Sequence, residues 1–257
     1  MIKYSKGIAL ALLIAAVFCL LPGCGGKSAG GLAAIQDKGV LTVATSPDFP
    51  PFESLENGEV AGIEVDILEK IAESLGVTLQ IEQMDFESVI PGVQAGKFDV
   101  GMSGITITEK RKENVDFSEP YFLAAQTIVV PAGSGISCKA DLDGKKISVQ
   151  TGTTAEDYCM ENGYDVLAFT SNNDAAAALT GGKVDAWVVD NEVAVAMAGP
   201  LGLVTLEEAM TTEPYAFAFA KGSDELVSAV NAALDEMLAD GTVADIFAAW
   251  GVSYVAP

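Results

Sequence analysis

Between residues 63 and 75 the apolar side chains fall at 63, 67, 68, 71, 72 and 75, with Glu69, Lys70, Glu73 and Ser74 opposite and Gly76 directly after. That spacing predicts an amphipathic helix closed by a glycine. A second stripe, made of Ala229, Val230, Ala233, Leu234, Met237 and Leu238, predicts a helix over 224–238 that turns a face to the core, and a terminal helix follows over 242–250. Short apolar runs predict strands over 39–45, 77–82, 97–102 and 184–189. Further helices are expected over 154–160 and 192–197, and the helical stretch after Phe86 reads as interrupted by Pro91. Strand and helix alternate throughout, which is the pattern of an α/β fold.

The pattern also restarts. Residues 39–45, GVLTVAT, are echoed by residues 144–150, GKKISVQ, and AGKFDV over 95–100 is echoed by GGKVDA over 181–186. Two similar α/β units are implied, although glycine ahead of a lysine-led strand is common enough for short echoes to arise by coincidence. The body from residue 32 to residue 257 is also longer than most single cores, which favours two lobes.

The amino-terminal stretch follows a different rule. Lys3 and Lys6 precede an almost wholly apolar run over 7–21, which ends at Leu21-Pro22-Gly23-Cys24. The run is shorter than the roughly 20 residues of a spanning helix, so a signal peptide over 1–23 is expected, with a membrane anchor as the alternative. Residues 24–31, rich in glycine, read as a flexible tether.

Composition narrows the chemistry. The chain carries 36 acidic and 14 basic residues, a formal charge of −22; losing Lys3 and Lys6 with the leader leaves 12 basic residues and a charge of −24. Nucleic acid and anionic membrane surfaces are therefore poor partners. With no histidine in the chain, imidazole acid–base chemistry and histidine metal sites are excluded. No cofactor or metal site is expected. Cys138 and Cys159 are left as either one disulfide or two independent thiols.

The candidate chemistry centres on residues 101–111, GMSGITITEKR. Ser103, Gly104 and Thr106 leave the main chain approachable, and the planar fork of Arg111 matches a carboxylate. An ion pair with Glu113 is the bland alternative for Arg111. In the second unit, Thr153 and Thr154 follow Gly152 at the start of a helix, where amides and dipole favour an anion; a simple threonine cap is the competing reading. Asp190 stands where a strand meets a helix, as an N-cap or as a ligand group. Ser46 and Phe49, in the proline-stiffened loop leaving the first strand, are candidate walls of a crevice, and Phe86 falls on a turn at the same edge. Phe49 and Phe52 have packing as their alternative.

Residues 62–67, GIEVDI, followed by Ile71-Ala72 and Leu75, resemble the signature of the polar amino-acid solute-binding proteins of ABC importers. The resemblance extends to ITITEKR, to the GTT turn at 152–154, and to DFSEPYF over 116–122 and EPYAFAFA over 213–220 as paired crossovers. It implies a two-lobed periplasmic-binding-protein-like fold of type II, with residues 32–124 and 218–257 in one lobe and 125–217 in the other. It implies that Arg111 and the Thr153–Thr154 turn grip an α-carboxylate, with help near Ser103, Gly104 and Thr106. Asp190 would hold the α-ammonium, Phe49 and Phe86 would cover the side-chain stem, and Ser46 and Gln150 would line the pocket. The expected ligand is an uncharged polar amino acid, or a cationic one if Asp48 or Glu53 reaches inward. The resemblance also implies lipidation at Cys24, a monomer anchored outside the cytoplasm, permease subunits as partners, and no catalysed reaction. An enzyme on the same scaffold, or a sensor lipoprotein, are the alternatives.

Overall fold

The structure, a computed structural model, describes residues 31–257. The expected leader, Cys24 and the tether up to residue 30 lie outside the described residues.

Two five-stranded sheets organise the chain, one in each lobe. The first orders Thr78–Gln83, Val40–Thr45, Val100–Gly101, Ala218–Ala220 and Val115–Phe117. The second orders Asp165–Phe169, Lys146–Gln150, Ala186–Asp190, Gln126–Pro131 and Leu203–Thr205. In both, the first three strands are parallel and the fourth runs against its neighbours. The sequence echoes fall on equivalent places in this topology. Asp99 accepts from the Thr42 amide at 2.9 Å and Asp185 from the Lys146 amide at 2.8 Å. The same aspartate thus ties the third parallel strand to the central one in each lobe.

The chain crosses between lobes twice. Phe122–Ala124 leads into the second sheet, Glu213–Tyr215 returns from it, and the two segments pair antiparallel. Around this hinge lies an aromatic cluster. Phe52 meets Tyr215 edge-on at 5.1 Å and Phe122 stacks on Phe247 at 4.7 Å, all four fully buried. Fully burying each such ring contributes about 2–3 kcal/mol, so the hinge is anchored by the first lobe's core.

The helix predicted from the first apolar stripe spans Ile63–Leu75, with Gly76 as a left-handed cap. It starts at Gly62, where φ is 150° and an added Cβ would sit 2.0 Å from the Phe52 carbonyl oxygen, so only glycine fits. Trp250 closes the carboxyl end of the fold by donating from Nε1 to Asp66 at 2.7 Å. The expected interruption at Pro91 does not occur. The helix runs through it over Phe86–Gln94, and its packing against the first sheet outweighs the single backbone hydrogen bond that proline removes. The predicted strand over 97–102 shortens to Val100–Gly101, because Asp99 is engaged with Thr42. Cys138 and Cys159 are free thiols, and burial pushes Cys159 up to about 12.

Candidate functional site

A cavity lies between the lobes, walled by Asp48, Phe49, Phe86, Ser103, Gly104, Thr106 and Arg111 on one side and Gln150, Thr153, Thr154 and Asp190 on the other. Ten of the eleven residues singled out in the sequence therefore meet here. Ser46 does not. Its amide donates to Ser103 Oγ at 3.1 Å and its hydroxyl to Asp48 Oδ1 at 3.0 Å, so it supports the wall from behind while Asp48 takes the exposed place.

Arg111 belongs to the short helix Glu109–Lys112, whose start is fixed by Thr108 Oγ1 accepting from the Arg111 amide at 3.1 Å. Among the described residues its guanidinium forms no ion pair with Glu113; instead Nη1 donates to the Thr106 carbonyl at 2.9 Å and Nη2 to the Gly152 carbonyl at 3.2 Å. Its carbon stands 5.4 Å from the centre of the Phe86 ring. Burial lowers its affinity for a proton, and the nearby acids Glu213, Asp157 and Asp190 oppose that shift. Phe86 thus braces the cation as well as lining the cavity.

Asp190 occupies the N-cap position of the helix Asn191–Ala198, but its side chain makes no capping bond. Oδ1 accepts from the Tyr215 hydroxyl at 2.5 Å and Oδ2 from Gln126 Nε2 at 2.9 Å. Burial, with Glu213 adding to it, raises its pKa to about 7. A cation arriving in the cavity would reverse that shift, since it favours the ionised form.

The opening of the helix Thr154–Glu161 also reaches the cavity. Thr153 caps it, accepting from the Glu156 amide at 3.2 Å, so the cap and the cavity wall are the same residue. Thr154 Oγ1 accepts from Gln126 Nε2 at 3.2 Å. The Gly104 amide is not open to a ligand, because it donates to Glu64 Oε2 at 2.9 Å. Gly104 still matters sterically. Its φ is +53° and a Cβ there would lie 2.4 Å from Phe49 Cε1, so glycine lets the Phe49 ring lie on the turn.

The lobes are closed on each other around these groups. Asp48, from the first lobe, accepts from the Asn172 amide at 2.6 Å and from Gln150 Nε2 at 3.2 Å, both in the second. Lys110 and Asp157 add an exposed ion pair at 3.0 Å. Burial raises the pKa of Asp48, against its hydrogen bonds from Asn172, Ser46 and Gln150. Tyr215, Gln126 and Glu213 were not singled out in the sequence. Glu213 and Tyr215 lie in the returning crossover and Gln126 opens the strand that pairs with Asp190, so the only local signal needs the sheet register to be read.

The match to known proteins covers nearly the whole folded body. Residues 41–253 fit the model of the bacterial extracellular solute-binding proteins, family 3. The ABC transporter glutamine-binding protein GlnH of Bacillus subtilis (strain 168) is 32% identical over 264 residues, covering 95% of this chain and 97% of its own. Among solved structures, an ancestral arginine-binding protein bound to glutamine superposes with a TM-score of 0.79 at 43% identity, covering 82% of this chain and 97% of that one. The arginine-bound ancestral protein gives 0.78 at 42%, covering 82% and 98%. Two lobes of this topology joined by paired crossovers are the periplasmic-binding-protein-like fold of type II, and the chain belongs to the bacterial extracellular solute-binding proteins of family 3.

Proposed function

We propose that this protein captures one amino acid between its lobes outside the cytoplasm and delivers it to an ABC importer without catalysing a reaction. The observation that carries the reading is the placement of a guanidinium, Arg111, and a carboxyl, Asp190, on the walls of one cavity. Arg111 and the helix start at Thr153–Thr154 receive the α-carboxylate, and Asp190 receives the α-ammonium. Phe49 and Phe86 cover the stem, with Ser103, Gly104 and Thr106 beneath it.

Charge counting supports one ligand class. Among the side chains on the cavity wall, Arg111, Asp190 and Asp48 sum to −1 when both acids are ionised, and Glu213 behind them adds no positive charge. A zwitterion with a neutral side chain leaves that −1 buried, whereas a cationic amino acid such as arginine cancels it. We therefore assign the far end of the cavity, Asp48 with Gln150, to a cationic side chain. An uncharged polar side chain is the second reading, favoured by the Gln150 amide at the same end and by the likeness to glutamine-binding relatives.

The lobes in this reading are residues 32–124 with 218–257, and residues 125–217. Binding drives closure because the ligand touches both lobes only when they meet. Signal cleavage, a lipid anchor at Cys24, permease subunits as partners and a monomeric state complete the proposal.

The test is thermal unfolding against all twenty amino acids, with analogues lacking the ammonium or the carboxylate. A ligand at a thousand times its Kd adds about 4 kcal/mol of stability. Arginine or another cationic amino acid should shift the melt, and each truncated analogue should not. A flat panel in ligand-free protein would overturn the reading.

A further inference from the structure

Beneath the cavity, two carboxyl groups are sealed from water together. Glu53 and Glu64 are both 0% exposed, the first on the short strand Glu53–Glu56 and the second in the opening turn of the helix Ile63–Leu75. The Glu64 amide donates to the Phe52 carbonyl at 3.1 Å, directly before Glu53, and the two carboxyl groups accept from adjacent residues, Ser103 and Gly104, so they lie together under one turn with no cation from the described residues between them. We propose that Glu53 and Glu64 hold one proton between them at neutral pH, with Glu53 Oε2 donating to Glu64, and that this acid–carboxylate pair positions the Ser103–Gly104 turn under the ligand.

The hydrogen-bond inventory assigns the proton. Glu64 accepts from the Gly104 amide at 2.9 Å and from the Tyr121 hydroxyl, so it is already supplied with donors. Glu53 accepts from Ser103 Oγ at 3.0 Å through Oε1, while its Oε2 is buried and has no partner of its own among the described residues. A buried carboxyl oxygen in that position is costly unless it carries hydrogen. The titratable groups facing Glu53 are Glu64 from the helix, Asp48 from the loop after the first strand, and Tyr121 from the segment entering the hinge. None is a cation. Burial, then the charge of Glu64, raises the pKa of Glu53 well above the usual carboxylate range.

The pair also has mechanical connections. Ser103 and Gly104 line the cavity, and each is held by one of the two carboxyl groups. Tyr121 stacks on Phe217 at 4.8 Å, so the same proton links the floor of the cavity to residues flanking both crossovers. Ionising Glu53 would put two like charges in contact under the turn and loosen both attachments. Contact between this turn and a ligand rests on the amino-acid reading proposed above, and the decisive measurements need no ligand.

The experiment compares the full chain with its Glu53→Gln and Glu53→Ala variants. Infrared spectra at pH 7 should show the carbonyl band of a protonated carboxylic acid, sensitive to ¹³C-labelled glutamate and lost in Glu53→Gln. It should persist in Asp190→Asn, because that aspartate carries a different proton. As pH rises above the usual carboxylate range, the wild type should lose stability relative to Glu53→Gln, which has no proton to lose. The Gly104 amide should exchange with solvent at the wild-type rate in Glu53→Gln, whose amide still donates to Glu64, and about tenfold faster in Glu53→Ala. An unchanged infrared band in Glu53→Gln, or parallel stability curves, overturns the shared proton. Unchanged Gly104 exchange in Glu53→Ala overturns the positioning role. Neither outcome depends on which solute binds.

Discussion

Asp190 offers a test in which protons report on ligand binding. With its pKa raised to about 7, a large fraction of the molecules hold a neutral acid near neutrality at the place the proposed reading gives to the α-ammonium. Binding a cation requires the carboxylate, so the ligand and a proton compete. One pH unit below that value, about one tenth of the molecules are ionised, and the apparent affinity should fall about tenfold from its plateau, or about 1.4 kcal/mol. Titration calorimetry with L-arginine, or with the panel amino acid that binds, should show this weakening between pH 8 and pH 6. Repeating it in buffers of different ionisation enthalpy should show about 0.9 proton released per ligand at pH 6. Asp190→Asn should bind about 2–5 kcal/mol more weakly, with a flat profile. Stability of the ligand-free protein has the opposite sign. A carboxyl raised from 3.8 to about 7 on folding contributes fully below pH 3.8 and loses that contribution as pH climbs to about 7, a change of about 4 kcal/mol. An affinity that stays level from pH 8 to pH 6, with no proton release, would refute the ammonium assignment.

The remaining predictions concern the walls and the latch. Gly104→Ala should displace the Phe49 ring and cost about 1–3 kcal/mol in the thermal melt, with weaker binding; a neutral result would show that the turn adapts. Asp48→Asn keeps the hydrogen-bonding shape but removes one charge, so competition binding should move preference from arginine towards glutamine, and an unchanged ranking would remove Asp48 from the side-chain site. Lys110→Ala breaks an exposed ion pair, and should weaken binding by no more than about 1 kcal/mol, less at high salt. A larger loss by calorimetry would mean that Lys110 holds the lobes closed.

Much of the architecture is local enough to read from the chain. The helix Ile63–Leu75 follows from a 3.6-residue stripe and a terminal glycine, and the two-unit organisation from echoes that carry the same aspartate, Asp99 and Asp185, to the same bond in each sheet. Arg111 was legible because a threonine cap, a small-residue turn and a guanidinium lie within eleven residues of sequence. Other features depended on partners far along the chain. Whether Asp190 caps its helix or faces the cavity is decided by Tyr215 and Gln126, 25 and 64 residues away, which draw its oxygens from the helix amides. Ser46 does not take the lining place expected of it, and of the two acids named as inward-reaching alternatives Asp48 does, because it pairs with Ser54 in a small sheet and turns its carboxylate to Asn172. Glu64 lies in the first turn of its helix, and only folding brings it into the same buried place as Glu53. Spacing along one helix or strand fixes which side chains share a face, whereas the direction and protonation of a polar group depend on which distant donors and charges the packed lobes bring beside it.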